Sequence, residues 1–167
     1  MAELTTQERL QPSLLDRLTD DEPDKREESR DKRVITAARL RQCVARDLAW
    51  LLNCTQRWPD GELADHPHVE RSTLNFGIPD LAGSVLSGID AGALQNRIRA
   101  AILSFEPRLT GSTLQVGVDT DAKRMDRHSL RFHIESEMWA QPLPLTLYLK
   151  TEVDLETGRF QFAQGQE

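Results

Sequence analysis

Hydrophobic positions recur with a helical period in the middle of the chain. Between Val34 and about Asn53, apolar residues follow one another at intervals of three or four, which predicts one long amphipathic helix. Its stripe consists of Ala37, Leu40, Val44, Leu48 and Leu51, and Trp50 and Leu52 widen the apolar face. A second helix is predicted after Asp90, whose carboxylate is a favourable N-cap, and Pro107 ends it. The stripe of this second helix comprises Leu94, Ile98, Ala101, Ile102 and Phe105.

The last third of the chain changes to a period of two. Apolar residues alternate there with polar or small ones, which is the pattern of strands buried on one face. The alternating residues are Leu114, Val116 and Val118; Leu130, Phe132, Ile134 and Met138; Leu143, Leu145, Leu147 and Leu149; and Phe160 and Phe162. Thr157-Gly158 predicts a turn before the last strand. Two main helices followed by consecutive strands predict an α+β domain whose largely antiparallel sheet has about four strands, with the last strand at an edge.

The region between the two predicted helices has no clear period. Trp58-Pro59-Asp60-Gly61 is typical of a turn. An apolar loop follows from Ser72 to Pro79, and its side chains Leu74, Phe76 and Ile78 are expected to reach the core. A short helix is expected from Asp80 to Leu86.

The first 33 residues differ in composition from the rest. Leu14, Leu15 and Leu18 share one side of a predicted helical turn or two. In residues 20–33 all but Pro23 and Ser29 are charged, so this run is expected to be solvated, as a linker or as the exposed start of the next helix. We therefore predict a docking segment with a charged linker at residues 1–33 and a single domain at residues 34–167. Packing of the helical turn on its own domain is the open alternative.

The charge balance and the absence of long apolar runs limit the classes of partner. The chain has 167 residues, with 27 Asp and Glu against 21 Lys and Arg, so a nucleic-acid partner is not expected. No run of about 18 apolar residues occurs, and the first residues are polar and acidic, unlike a signal peptide. A cytoplasmic protein without direct membrane insertion is the expectation.

Cysteine and histidine residues give no strong sign of a metal or redox site. Cys43 and Cys54 are predicted to lie in one helix about 16 Å apart, too far for a disulfide, as small buried residues. His66-Pro67-His68 has metal-binding side chains but no further ligand at a recognised spacing. No cofactor and no metal site are therefore expected.

Phe105-Glu106-Pro107-Arg108 lies where the helical period stops and the alternating period begins. Proline disfavours a helical conformation in the residue before it, so Glu106 is expected to be extended. Positions two apart in an extended segment point the same way, so Glu106 and Arg108 should share one face. An acid and a base on a stiff corner suit docking to a partner, and a local ion pair at a helix end is the plainer interpretation.

Several segments of the chain, in their order and spacing, match one known family. The segments are Ser13-Leu14-Leu15-Asp16-Arg17-Leu18, Arg46-Asp47-Leu48-Ala49-Trp50-Leu51-Leu52-Asn53, Ser72-Thr73-Leu74-Asn75-Phe76-Gly77, Phe105-Glu106-Pro107-Arg108-Leu109 and Thr157-Gly158. Together they resemble the TssE family, the baseplate wedge subunits of bacterial type VI secretion systems. TssE belongs with the small baseplate wedge proteins of contractile phage tails. The resemblance covers nearly the whole chain.

The resemblance implies a structural role in a cytoplasmic baseplate docked at the membrane. It implies wedge partners TssF, TssG and TssK, and contact with the first ring of the TssB–TssC sheath, whose polymerisation such proteins help to start. It also implies that Glu106, Pro107 and Arg108 are a partner-binding element for the helical core bundle of the wedge. Sheath contact by strand exchange is implied for the C-terminal part of the domain, between Leu143 and Phe162.

A peptidoglycan-cleaving enzyme is the alternative function, because members of this family are often labelled lysozyme-like. Glycoside hydrolysis generally needs two carboxyl groups, one of them protonated. Glu106 is the tempting acid, but Arg108 beside it favours the ionised form. No second acid stands out, since the other candidates are scattered: Asp80, Asp119, Asp121 and Glu135. We therefore predict no catalytic residue, and an assay on peptidoglycan separates the two functions.

Overall fold

A computed structural model describes residues 13–19, 23–24, 35–58, 61–83, 90–119, 129–139 and 144–163. Helices occupy the first part of these ranges and strands the last part. The helices are α1 (Leu14–Leu18), α2 (Ala37–Leu52), α3 (Pro67–Glu70) and α4 (Ala91–Phe105). The strands are β1 (Gln115–Val118), β2 (Ser129–Met138), β3 (Leu145–Asp154) and β4 (Phe160–Ala163). A 3₁₀ turn covers Thr73–Asn75.

The two long helices end where the sequence predicts, and α4 also begins there, whereas α2 begins at Ala37, three residues after the predicted start at Val34. At the start of α2 the hydroxyl of Thr36 accepts a hydrogen bond from the N–H of Arg39. At the start of α4 the carboxylate of Asp90 accepts from the N–H groups of Gly92 and Ala93, so the predicted N-cap is confirmed. Helix α4 ends at Phe105, two residues before Pro107.

The four strands form one antiparallel sheet in the order β1-β2-β3-β4, so β1 and β4 are its edges. The expected α+β class, the antiparallel sheet and the edge position of the last strand are confirmed. Gly158, in the turn before β4, has a φ of +70°, a left-handed conformation that glycine adopts without strain.

Helices α2 and α4 pack on one face of the sheet. The predicted stripes supply this core, since Val44, Leu48 and Ile98 are buried against Phe132 and Ile134 of β2. Phe132 and Phe160 have ring centroids 6.3 Å apart, which ties β4 to the centre of the sheet. The opposite face of the sheet carries exposed or half-buried residues, among them Glu135 and Tyr148. The core therefore lies between the helices and one side of the sheet.

Three predicted core positions are wrong. Trp50 is exposed because it lies about 200° around α2 from Leu48, away from the stripe. Leu74 is exposed because the 3₁₀ turn directs Asn75 inward instead, where its side-chain oxygen accepts a hydrogen bond from the N–H of Trp58. Cys54 is exposed because α2 ends at Leu52, although Cys43 is buried as predicted.

Some predicted elements lie partly or wholly outside the described residues. Residues 80–83, the described part of the short helix predicted at 80–86, are not helical. Leu143, the Pro59-Asp60 part of the predicted turn and most of the charged run at 20–33 lie outside the described residues.

Candidate docking site at the Glu-Pro-Arg corner

The chain turns sharply where α4 gives way to the sheet. Glu106 is the C-terminal cap of α4, and its N–H still donates to the carbonyl of Ile102 at 2.8 Å. Beyond the turn the carbonyl of Arg108 accepts from the N–H of Trp139 at 2.9 Å, and Leu109 bridges to the end of β2 at Met138. The corner is therefore fixed on the helix side and on the sheet side.

Glu106 and Arg108 share one face, as their spacing predicts. Nε of Arg108 donates to Oε1 of Glu106 at 2.7 Å, and Nη2 lies 2.5 Å from Oε2. The main-chain N–H of Arg108 also donates to Oε1. This two-pronged pairing of a guanidinium with a carboxylate holds both side chains in one orientation. Glu106 is only 4 % exposed, so the chain itself satisfies this carboxylate.

Helix α2 contributes the next two members of the cluster. Nη2 of Arg108 also lies 2.5 Å from Oδ2 of Asp47. The other carboxylate oxygen of Asp47 accepts from Nε of Arg46 at 2.8 Å. Asp47 therefore lies between two guanidinium groups, one from its own helix and one from the corner.

The N-terminal helix α1 joins the same cluster through Asp16. Nη1 of Arg46 lies 2.7 Å from Oδ1 of Asp16, whose side chain is almost completely buried. Oδ2 of Asp16 accepts from the hydroxyl of Ser13 at 2.6 Å, and that hydroxyl in turn accepts from the N–H of Asp16. Helix α1 is thus attached to α2 by its polar side.

These five charged side chains form what we call the corner network: Asp16, Arg46, Asp47, Glu106 and Arg108. Three carboxylates meet two guanidinium groups, so the network keeps one net negative charge. Nη1 of Arg108 is buried and has no hydrogen-bond partner among the described residues. The network therefore joins three distant segments of the chain.

The network favours the charged forms of Arg108 and Asp16. Burial alone would lower the pKa of Arg108, but Glu106 and Asp47 outweigh it and the pKa is raised. Burial likewise opposes the charge of Asp16, and hydrogen bonds from Ser13, Arg46 and Cys43 reverse its effect, so the pKa of Asp16 is lowered. The pKa of Cys43 is raised by burial and by the nearby carboxylate of Asp16, which keeps it a neutral thiol.

Large apolar side chains are exposed beside this network. Trp50 lies one turn along α2 from Arg46, whose guanidinium carbon is 5.2 Å from the centroid of the indole ring. Pro107 is exposed at the tip of the corner. Trp139, whose main-chain N–H donates to the carbonyl of Arg108, also has an exposed side chain. Exposed Trp beside Arg is a composition enriched at the energetic centres of protein interfaces.

Helix α1 presents its leucines outward. Leu14 and Leu18 are 71 % and 75 % exposed, and Leu15 is exposed to a smaller degree. The helix is therefore inverted relative to an ordinary surface helix, because its acid is buried and its apolar side chains face solvent. Of the two alternatives that the sequence left open, the geometry shows packing of α1 on its own domain through Asp16, and docking stays a prediction.

Sequence reasoning missed Asp16, Arg46 and Asp47 as members of this site. Arg46 and Asp47 were expected to be polar positions around the α2 stripe, and Asp16 was only part of the leucine segment. One signal could have pointed to them, since Arg46-Asp47 and Asp16 all lie in segments that carry the family resemblance.

The buried position of Glu106 limits its chemistry. A general acid must be protonated and must reach the bond that it cleaves. Here the carboxylate accepts three hydrogen bonds from Arg108 and faces the interior of the corner.

Within the described residues no group of three or more His, Cys, Asp or Glu could hold a metal ion. The same part of the chain contains no helix long and apolar enough to cross a membrane.

The corner is a fixed turn with a buried ion-pair network and with exposed proline and tryptophan side chains beside it. A family model described as baseplate wedge protein gp25 matches residues 38–143, more than half of the chain. The chain therefore belongs to the gp25 family of baseplate wedge proteins and is a structural component of a baseplate, where it contacts other baseplate components. No curated protein and no solved structure matches the chain.

Proposed function

We propose that this protein is the TssE-type wedge subunit of a type VI secretion baseplate. It docks to the wedge core of TssF, TssG and TssK and helps to start polymerisation of the TssB–TssC sheath. It acts in the cytoplasm at the membrane-docked baseplate, without enzymatic activity, cofactor, nucleic-acid partner or insertion into the membrane. One observation carries the proposal: three segments with the family resemblance, 13–18, 46–53 and 105–109, meet in the corner network.

The docking surface is the outer side of the corner. Glu106 is buried, so its role is to hold Arg108 and the turn in a fixed shape. The partner contacts the exposed Pro107 and the accessible part of Arg108, together with Trp50 and Trp139 beside them. A surface fixed before binding loses little conformational entropy on docking, which favours affinity.

Helix α1 supplies a second contact with the wedge. Its outward leucines are Leu14 and Leu18, four residues apart, with Leu15 three residues before Leu18, and amphipathic helices bind apolar grooves through such i+3 and i+4 spacings. Residues 1–33 form the docking segment with its charged linker, and residues 34–167 form the wedge domain. Because Asp16 attaches α1 to the corner network, the contact made by the α1 leucines and the contact made by the corner lie on the same side of α2.

A charged substitution at the tip of the corner tests this proposal. Pro107→Asp leaves the Glu106–Arg108 pair in place but puts a hydrated charge on the docking surface. We expect it to abolish co-purification with TssF–TssG while the circular dichroism spectrum stays native. Co-purification of a folded Pro107→Asp protein at the wild-type yield would disprove docking through the corner.

Two aromatic side chains of similar exposure provide a matched comparison. Trp50, beside the network, is 52 % exposed, and Tyr148, on the outer sheet face, is 50 % exposed. Trp50→Ala is expected to weaken TssF–TssG binding by about tenfold or more, as for an interface hot spot, whereas Tyr148→Ala should not. Equal effects of the two substitutions would show that the contact is not centred on the corner.

A peptidoglycan assay tests the proposed absence of enzymatic activity. Purified protein is expected to release no soluble fragments from peptidoglycan. Turnover that is lost in Glu106→Gln would overturn the structural proposal, provided that this variant keeps a native circular dichroism spectrum.

A further inference from the structure

A side chain covers part of the free edge of the sheet. Asn53, the C-terminal cap of α2, lies beside β4. Its Oδ1 accepts from the main-chain N–H of Phe160 at 3.0 Å, and its Nδ2 donates to the carbonyl of the same residue at 3.1 Å. The amide of Asn53 therefore pairs with Phe160 as one residue of a neighbouring strand would.

These two main-chain groups point away from β3. In an antiparallel pair, alternate residues direct their N–H and C=O groups towards the partner strand. The carbonyl of Arg159 accepts from the N–H of Asp154 in β3, so Phe160 and Phe162 direct theirs outward. Among the described residues, Asn53 occupies the outward groups of Phe160 and nothing occupies those of Phe162.

The side chain of Asn53 is held in this position from its own helix. Nδ2 donates its second hydrogen to the carbonyl of Ala49 at 2.8 Å, so both amide hydrogens are used. Asn53 is nevertheless exposed, and an arriving strand can reach it. A fixed but accessible amide can be displaced without disturbing the core.

The other edge of the sheet is bordered differently. Helix α4 lies along β1, and its Arg99 donates to the carbonyl of Leu114 immediately before the strand and to that of Gly111. Unpaired edge groups accept strands from other chains, and proteins commonly protect such edges. The outward groups of β1 belong to Val116 and Val118, which Arg99 does not contact. Of the two edges in the described part of the chain, β4 is therefore the one where a side-chain amide covers outward main-chain groups.

We propose that Asn53 gates the β4 edge against strand addition. The occupant is an extended strand of a sheath subunit, because a row of main-chain donors and acceptors fits an extended chain. This proposal rests on the sheath contact of the proposed function. A strand that pairs with Phe160 must replace the two hydrogen bonds that Asn53 makes with this residue. The strand therefore gains little binding free energy there unless its side chains make further contacts. The gate thus rejects other extended segments, including the β4 edge of a second copy.

Substitution of Asn53 tests the gate without any partner. Asn53→Ala frees both groups of Phe160, and Asn53→Asp keeps the acceptor for the N–H but removes the donor. We expect faster amide exchange at Phe160 in Asn53→Ala than in Asn53→Asp, and concentration-dependent self-association of Asn53→Ala in sedimentation velocity. If the Phe160 amide exchanges at the wild-type rate and the folded variant stays monomeric, the gate is disproved.

A second arm uses TssB–TssC subunits as the probe. Asn53→Ala should bind them about tenfold more tightly, the effect of one to two hydrogen bonds that no longer have to be exchanged. Phe162→Pro removes the outward N–H at the edge, and Phe162→Ala is its control because it loses the same ring but keeps the N–H. In the Asn53→Ala background, Phe162→Pro should abolish the gain and Phe162→Ala should keep it.

The outcomes separate the gate from the proposed function. Failure of wild-type protein and Asn53→Ala to bind TssB–TssC would overturn the sheath role, and with it the occupant proposed here. Equal binding by the two proteins would overturn the gate while the sheath role stands.

Discussion

Asp47 and Arg108 lie 61 residues apart and form an ion pair of 2.5 Å between Oδ2 and Nη2. Through this pair the middle of α2 holds the corner that follows α4. Because Asp47 also binds Arg46, its carboxylate separates two guanidinium groups that would otherwise face each other. Asp47 is thus the residue that connects α1 and α2 to the Glu-Pro-Arg corner.

Removal of the Asp47 carboxylate should destabilise the domain. Asp47→Ala leaves both arginines without their shared acceptor, and hydrogen bonds to charged groups contribute about 1.5–3 kcal/mol each. We expect a loss of about 2–3 kcal/mol in the free energy of unfolding, measured by urea denaturation. Glu135→Gln on the exposed outer face is the control and should change stability by less than about 0.5 kcal/mol.

A double-mutant cycle assigns this loss to the pair. Asp47→Ala and Arg108→Ala should couple by about 1 kcal/mol or more, because the two side chains share hydrogen bonds. Additive losses within about 0.3 kcal/mol would mean that the ion pair does not connect the helix to the corner.

Attachment of α1 should depend on pH through Asp16. The pKa of this carboxyl is lowered from its ordinary value of 3.8, so the folded state binds the proton less readily than the unfolded chain. The stabilisation is therefore fully present above pH 3.8 and is lost as the pH falls through the folded pKa. We expect the Arg17 amide resonance, followed by NMR, to shift in that acidic range.

Asp16→Asn should imitate the acidic state at neutral pH. The substitution removes the charge of the side chain but keeps its shape. It should weaken the attachment of α1 to the domain by about 1–3 kcal/mol at pH 7. The difference between wild type and Asp16→Asn should vanish well below pH 3.8. A difference that persists there would mean that charge does not hold α1. Ser13→Ala, which removes both hydrogen bonds between the Ser13 hydroxyl and Asp16 but keeps the Asp16 charge, should give a smaller effect of the same sign.

Local signals in the sequence were sufficient for the two long helices, the four strands and one contact of the site. Asp90 and Pro107 mark the ends of α4 because capping and the missing N–H of proline act within a few residues. The Glu106–Arg108 contact follows from a spacing of two in a non-helical segment. These features depend on near neighbours in the chain, and the structure confirms them.

Contacts between distant segments could not be predicted in the same way. The pairing of Asp47 with Arg108 and of Asp16 with Arg46 has no periodic signature, because it depends on how α1, α2 and the corner lie together in space. Trp50 was misjudged because hydrophobicity outweighed its angular position on α2. Asn53 carried no sign of its role, since a polar cap at a helix end is common.

Gly77 offers a prediction about the loop that precedes α4. Its φ is +125°, and a Cβ there would overlap the main-chain carbonyl of Cys54. That carbonyl accepts from the N–H of Ile78 at 2.9 Å, so it cannot move aside freely. We expect Gly77→Ala to cost about 3 kcal/mol or more in the free energy of unfolding, from strain and overlap together.

Gly61 separates these two causes. It has a φ of +91° with open space around the missing Cβ, so Gly61→Ala adds strain without overlap. A loss of about 1–2 kcal/mol is expected there. Equal losses at both glycines in urea denaturation would show that the approach of Gly77 to Cys54 contributes nothing.

The outward leucines of α1 should matter for binding and little for folding. Leu14→Glu with Leu18→Glu changes side chains that are mostly in solvent, so the free energy of unfolding should stay within about 0.5 kcal/mol of wild type. The same double variant should lose TssF–TssG binding, because a charged side chain cannot enter an apolar groove without a large desolvation cost.

Leu48→Ala is the opposite control, since Leu48 is fully buried and its truncation should cost about 2–5 kcal/mol in the free energy of unfolding. If the α1 variant keeps full binding, α1 does not dock and its leucines are exposed for another reason; if it unfolds like Leu48→Ala, those leucines belong to the core.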